Sequence, residues 1–163
     1  MRVLILFFCL LSYSAKGQFD DLTITLEINT SSDKRGAFRA VVQLSLFSII
    51  DSSYEVKVEQ YKIFRDRDFR LHQTKVLDTS FVIGRSRFNC VAKKVKELNS
   101  ARLIDDFKTY IYTHPTTIRL TYGNVLEFVN FSFVYTKDRK QLENFFQTCK
   151  DILNVAGIRY LLD

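Results

Sequence analysis

Leu22, Ile24, Leu26 and Ile28 are separated by single polar residues, Thr23, Thr25 and Glu27. Such a chain gathers its apolar side chains on one side only when extended, because successive residues of a strand point to opposite faces. The alternation recurs in Phe38, Ala40, Val42, Leu44 and Leu46, and again in Tyr54, Val56 and Val58. Polar breaks separate these runs: Asn29 to Gly36, rich in Ser, Asp, Lys and Gly, and then Asp51-Ser52-Ser53. Near Tyr61 and Ile63 the third run changes phase, which predicts a β-bulge within it. Arg65-Asp66-Arg67-Asp68 reads as a charged hairpin tip. Phe69 to Val76 then returns as a strand, and Phe81-Val82-Ile83 is a further apolar stretch before Gly84.

Helical spacing takes over from there. Ser86 is the expected N-cap of a helix that places Phe88, Val91, Ala92, Val95 and Leu98 on one side. Asn99-Ser100 ends it, and Ala101 to Tyr112 follows neither period. Thr117 to Tyr122 and Val125 to Tyr135 predict a hairpin joined by Gly123-Asn124, a pair that readily takes positive φ. Leu142, Phe145, Phe146, Cys149, Ile152, Leu153 and Ala156 form the continuous stripe of a last helix, with Gly157 as its C-cap. Ile158 to Leu162 reads as a short final strand. The expected fold class is α+β: a mainly antiparallel sheet of about six to seven strands with two helices on one face. The expected order is four or five strands, a helix, two strands and a helix. No repeat, low-complexity tract or Pro/Gly linker divides residues 18–163, so a single domain is expected.

The first 17 residues read differently. Arg2 precedes an unbroken apolar run of nine residues, Val3 to Leu11, and a small, polar segment ending Ala15-Lys16-Gly17. This is the layout of a cleavable signal peptide, so cleavage is expected near Gly17 and the protein is expected to be secreted or periplasmic. Nine residues span about 14 Å as a helix, short of the roughly 30 Å of a bilayer core, and no later stretch is apolar enough to cross. Without Arg2 and Lys16, 22 basic residues remain against 18 acidic ones, a net charge of +4. That is mildly basic and too little for dedicated nucleic-acid binding, for which no motif is present either.

Two cysteines, Cys90 and Cys149, lie beyond residue 17. In an oxidising compartment they form either one bridge or two separate thiols, with Cys149 then buried on its apolar stripe. His72 and His114 belong to no metal-ligand spacing, so no metal or other cofactor is expected. Cys90 lies off the apolar side of its helix, and a thiol nucleophile there would need a histidine held beside it. There is no Gly-x-Ser-x-Gly elbow and no glycine-rich phosphate loop; Asp20-Asp21 and Asp105-Asp106 are adjacent carboxylates of the kind found in solvated turns. Asn29-Thr30-Ser31 and Asn130-Phe131-Ser132 match the glycosylation acceptor pattern.

The most distinctive charged feature is Arg85, Arg87, Lys93, Lys94 and Lys96, a basic cluster around a helix N-terminus where an anion would be held. With no catalytic constellation, the sequence points to a non-catalytic binding protein, in its sharpest form inhibitor- or immunity-like. Its expected partner is another protein or an anionic surface. A small-ligand or lipid carrier with an apolar cavity is the first alternative, a small enzyme of unfamiliar type the second.

Overall fold

A computed structural model describes residues 22–30, 37–68, 70–98, 116–124, 127–135 and 142–158. Its elements, in chain order, are β1 (Thr23–Thr30), β2 (Ala37–Ser48), β3 (Ser53–Arg65), β4 (Leu71–Gly84), α1 (Arg85–Lys96), β5 (Thr116–Gly123), β6 (Phe128–Val134) and α2 (Glu143–Val155). All six strands join one antiparallel sheet in the order β4-β3-β2-β1-β5-β6.

Alternation decides which side of each strand is buried. Ile24, Leu26 and Ile28 of β1, Ala40, Val42 and Leu44 of β2, and Tyr54, Val56 and Val58 of β3 are closed to solvent. So are Ile118 and Leu120 of β5 and Phe131 of β6. Pairing register aligns them into rows across the sheet, one of which runs Phe131, Leu120, Leu26, Val42 and Val58. The helices lie on this face. Phe88, Val91, Ala92 and Val95 of α1 and Phe145, Phe146, Cys149, Ile152 and Leu153 of α2 share one buried cluster with the strand residues. Tyr54 stacks on Phe88 with ring centroids 3.7 Å apart, and Phe145 meets Phe131, Phe133 and Phe146 edge-on. Lys94 of α1 reaches Asp151 of α2 at 2.6 Å and ties the helices together at the surface.

This layout corrects the expected one. Four strands precede α1, because Leu71–Val76 and Phe81–Ile83, expected as separate stretches, belong to a single strand, β4. The sheet order also departs from a simple succession: β5 returns beside β1, so the β5–β6 hairpin sits at the opposite edge from β4. Alternation tells which residues share a face and is silent on which strands become neighbours. Among the described residues there are six strands, and Ile158 lies in none of them; Arg159 to Leu162 lie outside the described residues.

Three local expectations are corrected as well. β3 keeps its register against β2 from Tyr54 to Ile63, including Tyr61 and Ile63; the irregularity next to them is in β4, where Val76 is an extra residue between the Gln60–Leu77 and Tyr61–Lys75 pairs. α1 begins one residue before Ser86, with Gly84 at the N-cap position and no side-chain cap. The β5–β6 connection is longer than a two-residue turn, since Gly123 pairs with Phe128. At the end of α2, Gly157 takes φ +74°, its N–H bonds to the carbonyl of Asn154, and that of Ile158 bonds to the carbonyl of Leu153. These two bonds close the helix as a Schellman motif.

Candidate functional site: the open β4 edge

Among the described residues, helix cover runs out before the sheet does. Two helices, each about 10 Å across, roof roughly four strands at about 4.8 Å spacing. Here the shortfall falls on β4. Thirteen of its fourteen residues are exposed, Ile83 being the exception. The buried rows of β3 continue onto β4 as Phe81, Thr79 and Leu77, paired with Val56, Val58 and Gln60, and these side chains are open to solvent. Val82, Leu71 and the bulge residue Val76 are exposed too, at 51, 68 and 54%. β4 pairs with β3 on one side, and among the described residues no strand pairs with the other.

The face of the sheet away from the helices carries a polar ladder that ends on this edge. Glu27 is held by Arg39 at 2.9 Å and by Asn29, whose amide Nδ2 donates to it. Arg39 lies over one side of the Tyr61 ring, and Lys75 also lies over that ring, at 5.6 Å. Register sets Arg39, Tyr61 and Lys75 opposite one another on three successive strands. Lys75 Nζ donates to both Glu59 and Asp78 at 2.9 Å, and the Tyr61 hydroxyl donates to Glu59 at 2.8 Å. Lys75, then Tyr61 and Lys57, hold the Glu59 carboxyl down to about 2, while Asp78 and Glu59 raise the Lys75 ammonium above its ordinary value.

The β3–β4 tip is pinned by Asp66. Its Oδ1 accepts the N–H groups of Asp68 and Arg70, and its Oδ2 contacts His72 Nε2 at 2.6 Å. These contacts, His72 first, lower its pKa. His72 in turn stacks on Phe64, with centroids 5.4 Å apart.

The basic residues singled out from the sequence, Arg85, Arg87, Lys93, Lys94 and Lys96, all lie in α1 and are spread along its length. Lys93, Lys94 and Lys96 lie at least eight residues beyond Arg85, about 12 Å along the helix axis. Lys94 is engaged by Asp151, Lys93 lies 3.9 Å from Glu97, and Arg85 Nη1 donates to Ser52 Oγ at 3.4 Å. Arg85 therefore stands beside the β2–β3 turn, where Phe47, Ile49 and Ile50 are exposed next to Asp51.

The bridge considered for Cys90 and Cys149 is not formed. Cys90 faces solvent from α1, whereas Cys149 is packed in the core, where burial pushes its thiol pKa well up. Cys90 and His72 are also kept apart. His72 is thirteen residues along the chain from the start of α1, roughly 40 Å of strand. His114, Asp20-Asp21, Asp105-Asp106 and residues 1–17 lie outside the described residues. Among the described residues no group of three or more His, Cys, Asp and Glu side chains could hold a metal ion. No described helix is long and apolar enough to cross a membrane.

Sequence reasoning missed the edge itself. Leu71, Val76, Leu77, Phe81 and Val82 read as ordinary strand residues. The one available signal was that β4 carries apolar residues without keeping a single alternation through its length.

No family profile and no curated protein matches the sequence. Among solved structures, the chain is similar at 13% identity to the motor domain of kinesin-like protein KAR3 from Saccharomyces cerevisiae. The match covers 93% of this chain and 44% of that one, at a TM-score of 0.17, which bears on neither fold nor function.

Proposed function

We propose that this is an exported, non-catalytic binding protein whose partner is a protein chain, engaged along β4. An extended segment of the partner adds to the sheet as a further strand. Main-chain hydrogen bonds supply affinity, and the exposed side chains of β4 supply selectivity. The observation that carries this reading is a fourteen-residue edge strand with all but one residue exposed. Edge strands of stable folds are ordinarily short, covered or interrupted, because their unpaired N–H and C=O groups recruit other strands. β4 is long and carries five exposed apolar side chains. Export follows from the pattern of residues 1–17, and an inhibitor- or immunity-like role is its sharpest form. A protein partner is favoured over an anionic surface, because Lys94 is already paired and the five basic residues are dispersed.

The test compares the full chain with a Leu71→Lys/Val82→Lys variant as baits for extract of the native source. Both substitutions add charge to exposed positions of the edge, where lysine discourages strand addition. The variant is expected to keep the same circular dichroism spectrum and to lose a partner that the unaltered chain retains. Equal retention by both baits would contradict the proposal.

A further inference from the structure

We infer that the segment laid along β4 is β4 of a second copy of this chain, an inference that rests on reading β4 as an open binding edge. The bulge at Val76 makes the strand self-complementary. Two copies related by a two-fold axis normal to the sheet pair antiparallel, and each residue then stands opposite one on the same face. In a regular strand residues 75 and 78 would point to opposite faces and could not be paired this way. The extra residue at Val76 brings both onto the face away from the helices, where Lys75 and Asp78 meet at 2.9 Å within one chain.

With the axis between Val76 and Leu77, Lys75 of each copy lies opposite Asp78 of the other. On the same face Leu71 then stands opposite Val82, and Gln73 opposite Ser80. On the helix face Thr74 stands opposite Thr79, and His72 opposite Phe81. Every pair is charge-matched, apolar or hydrogen-bonding, apart from the aromatic His72–Phe81 pair, and such cross-strand pairs are the units that stabilise a sheet. An offset of one residue sets outward residues against helix-face residues, and an offset of two takes Lys75 away from Asp78. The two six-stranded sheets become one continuous sheet.

Analytical ultracentrifugation of the full chain tests this with Lys75→Asp and Asp78→Lys, each checked for folding by circular dichroism. The unaltered chain is expected to be a dimer. Each variant alone sets like charges opposite at two places and is expected to dimerise roughly tenfold or more weakly. An equimolar mixture of the two is expected to regain the dimer, because two carboxylates of one chain then face two ammonium groups of the other. Mixing cannot repair the Lys75–Asp78 pair within a chain, so recovery reports the contact between copies. Should a charge variant fail to fold, Thr74→Cys and Thr79→Cys chains, both carrying Cys90→Ser, are expected to form a disulfide-linked dimer when mixed and not singly.

A mixture that stays monomeric, with no cross-link between the cysteine variants, would overturn the register. A chain that is monomeric throughout would overturn the second copy as partner, while loss of a captured protein by Leu71→Lys/Val82→Lys would leave the open-edge reading standing. A dimer indifferent to both charge variants and to Leu71→Lys/Val82→Lys would overturn the inference and count against the edge as well.

Discussion

At Gly123 the backbone takes φ +156°, and a Cβ built there would lie 2.1 Å from the carbonyl oxygen of Glu127. The neighbouring Asn124 N–H donates to that same oxygen at 2.8 Å, and the Asn124 side chain accepts the N–H of Glu127. The turn cannot move aside without losing both bonds. Gly123→Ala is therefore expected to destabilise the fold by about 1–3 kcal/mol, measured by urea unfolding. Glu59 sets a second expectation at this scale. Its pKa falls from 4.5 to about 2 on folding, so it contributes stability that is fully present above its unfolded value. That contribution is lost as pH falls from about 4.5 towards 2. Glu59→Gln is expected to lower the melting temperature at pH 7 and to flatten its decline over that acid range. Parallel melting curves for the two proteins would show that the Lys75–Glu59–Tyr61 cluster contributes nothing.

Among the elements, α2 is one whose burial was fully legible. Its stripe from Leu142 to Ala156 is closed to solvent at every position named from the sequence, because a 3.6-residue period leaves no other arrangement for seven apolar side chains. Phe145 lies at the centre of that contact, fully buried among three other phenylalanines. Phe145→Ala is expected to cost about 3–5 kcal/mol. A loss below about 1 kcal/mol in a denaturant titration would contradict this packing. β4 was the least legible element. Tyr61 and Ile63 suggested a phase change in β3, yet both simply occupy the face away from the helices, and the extra residue is Val76 on the facing strand. A bulge belongs to a pair of strands, so one strand's pattern cannot say which partner holds it. Ser86 misled for a related reason: β4 runs straight into α1, and the extended Gly84 leaves no separate capping residue.

For the whole molecule, the faces of individual strands were readable from alternation, whereas their order across the sheet and the extent of helix cover were not. Both depend on where non-local partners settle. Leu77 and Phe81 lie in the same rows as buried Val56 of β3 and Ile28 of β1, and only their place at the sheet edge leaves them exposed. The basic cluster is spread along its helix, with Arg85 and Lys93 about two turns apart. Among the described residues there remains a sheet whose inner strands are roofed by α1 and α2 and whose β4 side is open, and the proposed function depends on that opening. Residue-resolved hydrogen exchange by NMR, in the full chain diluted to monomer, tests it most directly. Amides of Leu71–Gly84 that point away from β3 are expected to exchange far faster than those of β1, which is paired on both sides. Uniform protection of β4 at the level of β1 would contradict the open edge and the binding function built on it.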